Sequence, residues 1–459
     1  MNRSNLIRLA ALTLALTLPV AVSAKVPAEE AAKLDGDTLT CAGAIRAGSD
    51  SGVAAYTGQW LDGWPGMAAA EKSGYTPGPY AAEKPLFTIT ADNMAQYAGR
   101  LTPGQQKLLQ KYPQGFRMPV YPSHRDFRMP DWACEVTRKN ALSAQVKPNG
   151  KGLEGLNAGI AFPFPANGLE AVWNVATARR PASERVVNDI AVVYPNGDIS
   201  MAQQYYMSLN QSRGPDNIRP FSDKIQTYFL SEFNSPPRDK GFISTGWQPN
   251  DFTDDATSAW QYLPGTRRVR QAPNICCDYP VPPTGMHTVD DNYIFNGSPE
   301  RYDWKLVGRQ EFYMPAHMFR INDQKLSYDE LLGAQSINPE LLRFELHRVW
   351  VIEGHLKPGM RHVYKKRVIY ADEDTWLPAW GDNYDGRGEL WRIKYIAYRY
   401  APDAQAYHRT VAVYHDLKNR AYEATYLVNQ VGKDNWWRVN DPSLRPEMFG
   451  PKAAQSRGR

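Results

Sequence analysis

Within residues 344–391, three runs rich in β-branched and aromatic residues, 346–353, 361–370 and 376–384, are separated by turn residues. Gly354, Lys357, Pro358 and Gly359 fill the first gap; Ala371, Asp372, Glu373 and Asp374 fill the second. Runs of this length, broken by Gly, Pro and Asp, predict an antiparallel meander. In the middle run Arg361, Val363, Lys365 and Arg367 share one parity, and His362, Tyr364, Lys366 and Val368 the other. Neither parity is purely apolar, so simple alternation fails. That suits a curved sheet whose concave face lines a cavity or receives a partner.

The same texture continues on both sides. Short apolar runs at 190–194, 199–206, 225–230, 258–262 and 267–270 are divided by Pro-Asn-Gly-Asp, Gly-Pro-Asp-Asn and Leu-Pro-Gly, and runs at 391–401, 410–416 and 421–428 follow the meander. Together they predict a mainly β fold of α+β class. Helical signals are few. Thr90 can cap a helix through Met94 and Tyr97, and Thr102-Pro103-Gly104-Gln105 is a capping box with Pro at the first helical position, so residues 84–112 predict a helical hairpin. Residues 168–174 predict a short helix. Across 113–168, the X-Pro pairs Tyr112-Pro113, Met118-Pro119, Tyr121-Pro122, Met129-Pro130, Phe162-Pro163 and Phe164-Pro165 favour extended backbone, hence loops. Residues 25–80 are expected to form an extended arm, 81–440 a single β-rich domain with helical insertions, and 441–459 a disordered basic tail.

Residues 1–24 join a basic segment with Arg3 and Arg8, an apolar stretch, and Val22-Ser23-Ala24 at a cleavage position. This pattern predicts a signal peptide and a soluble, exported, periplasmic protein; no cysteine follows the cut to carry a lipid anchor. The formal charge of +5 falls by the two arginines on cleavage, a near-neutral balance that speaks against nucleic acid as a partner. Cys41, Cys134, Cys276 and Cys277 allow three pairings; a bridge between adjacent cysteines strains the peptide, which favours Cys41–Cys134. No CxxC pair or HxxxH spacing offers a metal site, and no cofactor is expected.

Hydrolase elbows, Walker loops, zinc-protease helices and dinucleotide fingerprints are all missing from the sequence. Asp290, Asp291 and Asp303 could supply the facing carboxylates of a glycosidase. The competing reading is loop capping beside Thr288, Asn296 and Ser298. The turn at residues 382–389 lacks the alternate acids of a calcium loop, with Ile393 at the twelfth position, and reads as a hairpin turn with Gly386 and Gly388 at positive φ. Aromatics make up 12% of the chain, 26 of them Tyr, a composition suited to the wall of a cavity for amphipathic cargo.

Several long motifs are specific: Thr288-x-Asp290-Asp291 with Phe295-Asn296-Gly297-Ser298-Pro299-Glu300-Arg301-Tyr302-Asp303-Trp304, Glu345-Leu346-His347-Arg348-Val349-Trp350, and Arg361-His362-x-Tyr364-Lys365-Lys366-Arg367. With Asp372-Glu373-Asp374-Thr375-Trp376, Lys84-Pro85-Leu86-Phe87 and Asn167-Gly168-Leu169-Glu170, they closely resemble the domain-of-unknown-function family thirteen twenty-nine, from about residue 39 to 428. The resemblance implies a fold like LolA and LolB: a strongly curved antiparallel half-barrel with helices closing a hydrophobic concave face. It also implies a periplasmic, non-enzymatic carrier for a lipid or other hydrophobic molecule, serving an inner-membrane resistance-nodulation-division exporter and an outer-membrane protein. No catalytic residue can be carried over. Trp350, Tyr364 and Trp376 are the expected lining or rim, with Lys365 and Arg367 facing an anionic headgroup. Asp290, Asp291, Asn296, Arg301, Asp303, Trp304, His347, Arg348, Asp385 and Arg387 are expected to be structural. The alternatives are a secreted hydrolase using Asp290, Asp291 or Asp303, and a structural adaptor of an envelope complex.

Overall fold

The computed structural model describes residues 26–67, 75–156, 158–210, 214, 225–254, 256–272 and 276–458; the leader at 1–24 lies outside them. The chain begins with α1 (Ala28–Ala31), an arm, and β1 (Phe87–Ile89). Then come α2 (Pro103–Lys111), β2 (Met118–Tyr121), α3 (Asp131–Ser143), the two-residue strands β3 (Gln145–Val146) and β4 (Leu153–Glu154), and α4 (Gly168–Ala176). A hairpin series follows: β5 (Ser183–Val193), β6 (Ile199–Asn210), β7 (Ile225–Ser235), β8 (Ile243–Pro249), β9 (Ser258–Leu263) and β10 (Arg268–Gln271). Next are β11 (Tyr302–Pro315), α5 (Tyr328–Leu331), β12 (Phe344–Leu356), β13 (Lys366–Asp372), β14 (Pro378–Tyr384) and β15 (Leu390–Ala401). The chain finishes with β16 (Ala406–Asp416), β17 (Ala421–Leu427), β18 (Arg438–Val439) and α6 (Pro451–Arg457).

Among the described residues one sheet takes in all the strands but β3 and β4, in the order β11-β12-β13-β14-β15-β16-β17-β5-β6-β7-β8-β9-β10, with β1-β2 joined beside β12. The β2–β12 pairing is parallel and the other pairings are antiparallel. β10 and β11 do not pair, so the sheet is open. The fold is therefore mainly β with few helices.

The missing alternation in β12–β17 follows from cover on both faces. Val349, Val351, Val368, Tyr370, Ile393, Tyr395, Val411 and Val413 form one core with Leu108, Leu109 and Phe116 at α2, and with Met318, Ile321, Leu331 and Leu341. Ile352, Ile369, Ile396, Tyr398 and Ala412 form a second core with α4 and with Ile160, Phe162, Ile294 and Phe295. α4 can lie against β11 only because Gly168 has no side chain: a Cβ there would sit 2.4 Å from the Trp304 carbonyl.

The capping box at Thr102 forms, and α2 starts at Pro103. Its expected helical partner is a 3-10 turn over Met94–Arg100, so the hairpin is half regular. The loop expected over 113–168 contains α3, whose Val136, Asn140 and Ala141 are buried; the X-Pro pairs flank this helix and none interrupts it. Cys41 and Cys134 are disulfide-bonded, fastening the arm to α3. The tail corrects the expectation of disorder. Leu444, Phe449 and Ala454 bury themselves against Met207, Leu230, Ile243 and Tyr262 on one face of β6–β9. Three apolar anchors in a polar segment suffice to order it, because those strands would otherwise leave that face bare.

Candidate ligand-binding cavity

The opposite face of β6–β9 meets a different environment. There the inward positions are mixed: Gln204, Tyr206 and Ser208 on β6, Phe229, Ser231 and Phe233 on β7, Ser244 and Gln248 on β8. With Ile190 of β5, Phe242, Tyr414 and Tyr426, and the segment from Cys276 to Tyr302, they surround a cavity of about 430 Å³. Volumes of about 300–1,000 Å³ with mainly apolar walls and a few polar groups are those of small-molecule sites. Period-two alternation explains the sorting: even positions of β6 face the cavity, while Met207 faces the tail.

The wall opposite the strands is held by a buried ionic cluster. Arg367 donates from Nη1 to Asp290 Oδ2 (2.5 Å) and from Nη2 to Asp291 Oδ1 (2.8 Å). Lys394 Nζ also donates to Asp291 Oδ1, and the Tyr364 hydroxyl to Asp291 Oδ2 (2.8 Å). Asp290 further accepts from Thr288 Oγ1 (2.7 Å) and pairs with His362 Nε2 at 3.0 Å. Burial opposes charge on both carboxyls, yet Arg367 with His362 at Asp290, and Lys394 with Arg367 at Asp291, hold them below the ordinary carboxylate range. Both carboxylates are thus held ionised, with their oxygens engaged by Arg367, Lys394, Tyr364, Thr288 and His362. Asp303 points elsewhere: its side chain is 71% exposed and 4.0 Å from Lys357 Nζ. The three carboxylates form no acid–base pair.

None of the five residues expected to bind ligand lines the cavity. Trp376 is fully buried and stacks on Trp350 at 5.2 Å in the second core, and Trp350 also carries the Arg309 guanidinium at 4.4 Å. Tyr364 and Arg367 belong to the ionic cluster, and Lys365 is exposed. The physical reason is the double cover over β12–β14, which leaves these strands no free face.

The motif residues hold backbone and neighbours in place. Asn296 Nδ2 donates to Gln248 Oε1 (2.9 Å) and ties the wall to β8. Trp304 Nε1 donates to the Pro299 carbonyl (2.8 Å). Arg301 bonds the Arg361 carbonyl and lies 3.6 Å from Cys276 Sγ. His347 sits between Glu345 (3.4 Å) and Asp372 (3.3 Å), and Arg348 Nε donates to Glu373 (2.7 Å). In the 382–389 turn Asp385 Oδ1 accepts from the backbone of Arg387 (2.9 Å) and Glu389 (3.0 Å); Gly388 takes positive φ and Gly386 does not. Arg387 itself is exposed.

A second cavity, of about 90 Å³, lies where the arm at Thr40–Ala42 crosses Tyr398 and Tyr407, and has room for only a few waters. Among the described residues no group of three His, Cys, Asp or Glu could hold a metal ion. No helix of the described residues is long and apolar enough to cross a membrane.

Residues 88–455 match the family described as "Protein of unknown function (DUF1329)", and the chain belongs to it. An uncharacterised protein of Pseudomonas aeruginosa is 37% identical over 419 residues, covering 90% of each chain. Among solved structures, a putative outer-membrane lipoprotein-sorting protein domain from Vibrio parahaemolyticus covers 63% of this chain and 98% of its own, at 14% identity and TM-score 0.43. A family member from Desulfovibrio piger covers 62% and 95%, at 15% identity and TM-score 0.41. A LolA superfamily protein from Nitrosomonas europaea covers 63% and 100%, at 12% identity and TM-score 0.37.

Proposed function

We propose that this protein is a non-enzymatic carrier or binding protein of the periplasm, holding a lipid or another hydrophobic molecule in the 430 Å³ cavity between β5–β9 and the Cys276–Tyr302 segment. The cavity carries the reading. Phe229, Phe233, Phe242 and Ile190 give it an apolar wall, while Tyr206, Ser208 and Gln248 supply polar tips. Residues from β5, β6, β7, β8, β9, β16 and β17 border one volume, which supports a sheet bent as a half-barrel, with α4 and the Cys276–Tyr302 segment over its concave face. Each buried methylene of a chain would contribute about 0.8 kcal/mol, so ten of them give roughly 8 kcal/mol before ordering costs. The Cys41–Cys134 bridge supports an oxidising compartment, as does the leader pattern at residues 1–24. An inner-membrane exporter and an outer-membrane protein are the partners between which such cargo would pass.

Native mass spectrometry of the purified full chain is the test: a co-purifying hydrophobic molecule is expected. Ser208, buried on β6 and facing the cavity, is the place to fill it. Ser208→Trp should expel the ligand and lower the affinity of a neutral naphthylamine probe at least tenfold, with the fold kept by circular dichroism. A wild-type protein that binds no apolar probe would refute the reading.

A further inference from the structure

Three buried arginines of this protein meet a carboxylate, Arg125 pairing with Asp374, Arg343 with Glu345 and Arg367 with Asp290, and Arg179 instead donates to the Ala404 and Gln405 carbonyls. Arg180, at the end of the turn after α4, is 6% exposed and lines the cavity, yet forms no ion pair among the described residues. Its Nη2 reaches the Val175 and Ala176 carbonyls only at 3.4 and 3.5 Å, and its buried Nε has no partner. The guanidinium lies 3.7 Å over the Tyr293 ring. Arg409 is 4.2 Å from the centre of the same ring and 3.8 Å from that of Tyr426. It donates to Asn292 Oδ1, and its Nε and Nη2 are buried without partners. One nearby carboxylate, Glu184, accepts from the Tyr293 hydroxyl at 3.4 Å. A desolvated cation with open donors is costly unless an anion arrives to meet it.

We infer that the cavity takes an amphipathic anion, its carboxylate or phosphate headgroup meeting Arg180 beside Arg409 and its hydrocarbon lying against Phe229, Phe233 and Phe242. This assignment rests on the carrier reading and names the class of its cargo. The aromatic wall alone would accept any apolar molecule; the unmatched guanidinium selects among them by headgroup, because a charge-assisted hydrogen bond is roughly twice as strong as a neutral one.

The experiment measures displacement of a neutral naphthylamine probe from the delipidated full chain by dodecanoate, dodecyl phosphate, dodecanol and inorganic phosphate. At least one of the two anionic amphiphiles is expected to bind tenfold or more tightly than dodecanol, a difference of about 1.4 kcal/mol. Arg180→Gln should bring the anions to within about twofold of dodecanol, whose own affinity stays unchanged. Asn292→Asp, an isosteric change at a cavity-lining position, places a carboxylate against Arg409 and should also erase the preference, which covers the case of Arg180→Gln failing to fold. Equal binding of dodecanol by the wild type, or a preference that survives in both variants, overturns the proposal. Displacement by inorganic phosphate alone would show a free anion as the ligand and overturn it too. If the probe and every amphiphile fail to bind, the carrier reading itself falls.

Discussion

Arg367→Met is the sharpest test of whether the Asp290–Asp291 motif braces the fold or serves chemistry. Arg367 is 1% exposed and lies among the Phe295, Tyr302 and Tyr364 rings at 5.3, 5.7 and 5.3 Å. Methionine keeps much of that packing while removing the two ion pairs and the weaker bonds to the Asp290 and Ile294 carbonyls at 3.3 Å. Asp290 is then left with His362 and Thr288, and Asp291 with Lys394, Tyr364 and the Thr288 N–H. Removing one partner of a buried pair costs about 3–5 kcal/mol, because the carboxylate left behind stays desolvated. Urea unfolding followed by tryptophan fluorescence should show that loss as a lower midpoint at unchanged slope. Combining Arg367→Met with Asp290→Asn should cost less than the two single changes summed, since each single change strands the other partner. Because Val289, Asp290, Asn292 and Tyr293 also line the cavity, the folded fraction of Arg367→Met should bind the neutral probe more weakly. A loss below about 1 kcal/mol, the size of an exposed ion pair, would refute the bracing argument.

Gly104→Ala would place a Cβ 2.0 Å from Asp382 Oδ1 and break the Gly104 N–H bond to that carboxylate (3.0 Å), so urea melts should show a loss of about 2–3 kcal/mol; a gain, as for an unhindered helix glycine, would mean α2 can shift. Burial disfavours charge on His347, but Asp372 and Glu345 outweigh it and push its pKa up to about 10. Its stabilising contribution is therefore complete below the unfolded value of 6.5 and lost as pH rises through about 10, up to about 5 kcal/mol, and His347→Gln should flatten that slope in urea melts across this window. Replacing Cys41 and Cys134 by Ser opens a loop with a sequence separation of 93 and should cost about 4 kcal/mol, matched by adding a thiol reductant to the wild type.

The strands were legible from the sequence because their cause is local. Residues 199–206 and 258–262 announce themselves by β-branched and aromatic content between turn residues, and β6 (Ile199–Asn210) and β9 (Ser258–Leu263) lie there. The Thr102 capping box is equally local, its two reciprocal bonds spanning four residues. α3 escaped because proline pairs at 112–130 dominate the composition around it, while its burial of Val136 and Asn140 depends on a segment 20 residues further on: Asn140 Nδ2 donates to the Ile160 carbonyl at 3.0 Å. β11 (Tyr302–Pro315) escaped for a related reason. As an edge strand its first half alternates exposed Asp303, Lys305 and Val307 with buried Tyr302 and with Trp304 and Leu306, which pack on the second core, and its burial is continuous only over Phe312–Pro315.

The five residues expected at a cavity wall lie away from the 430 Å³ volume, and the difference bears on what mixed alternation means. In β13 the charged residue at an inward position, Arg367, was matched by Asp290 and Asp291 more than seventy residues away, so polarity there signalled a buried brace. In β6 and β7 the inward residues Gln204, Tyr206, Ser208, Phe229 and Ser231 mix polar and aromatic side chains in the same way, but the facing volume stays open. Sequence alone cannot separate the two cases, since each needs the identity of the opposite wall. What does separate them is stoichiometry of charge. A brace such as Arg367 closes its own account with carboxylates from the same chain, whereas a wall that awaits a partner keeps a cation without an ion pair among the described residues, and Arg180 is the cavity-lining residue at which that difference is found.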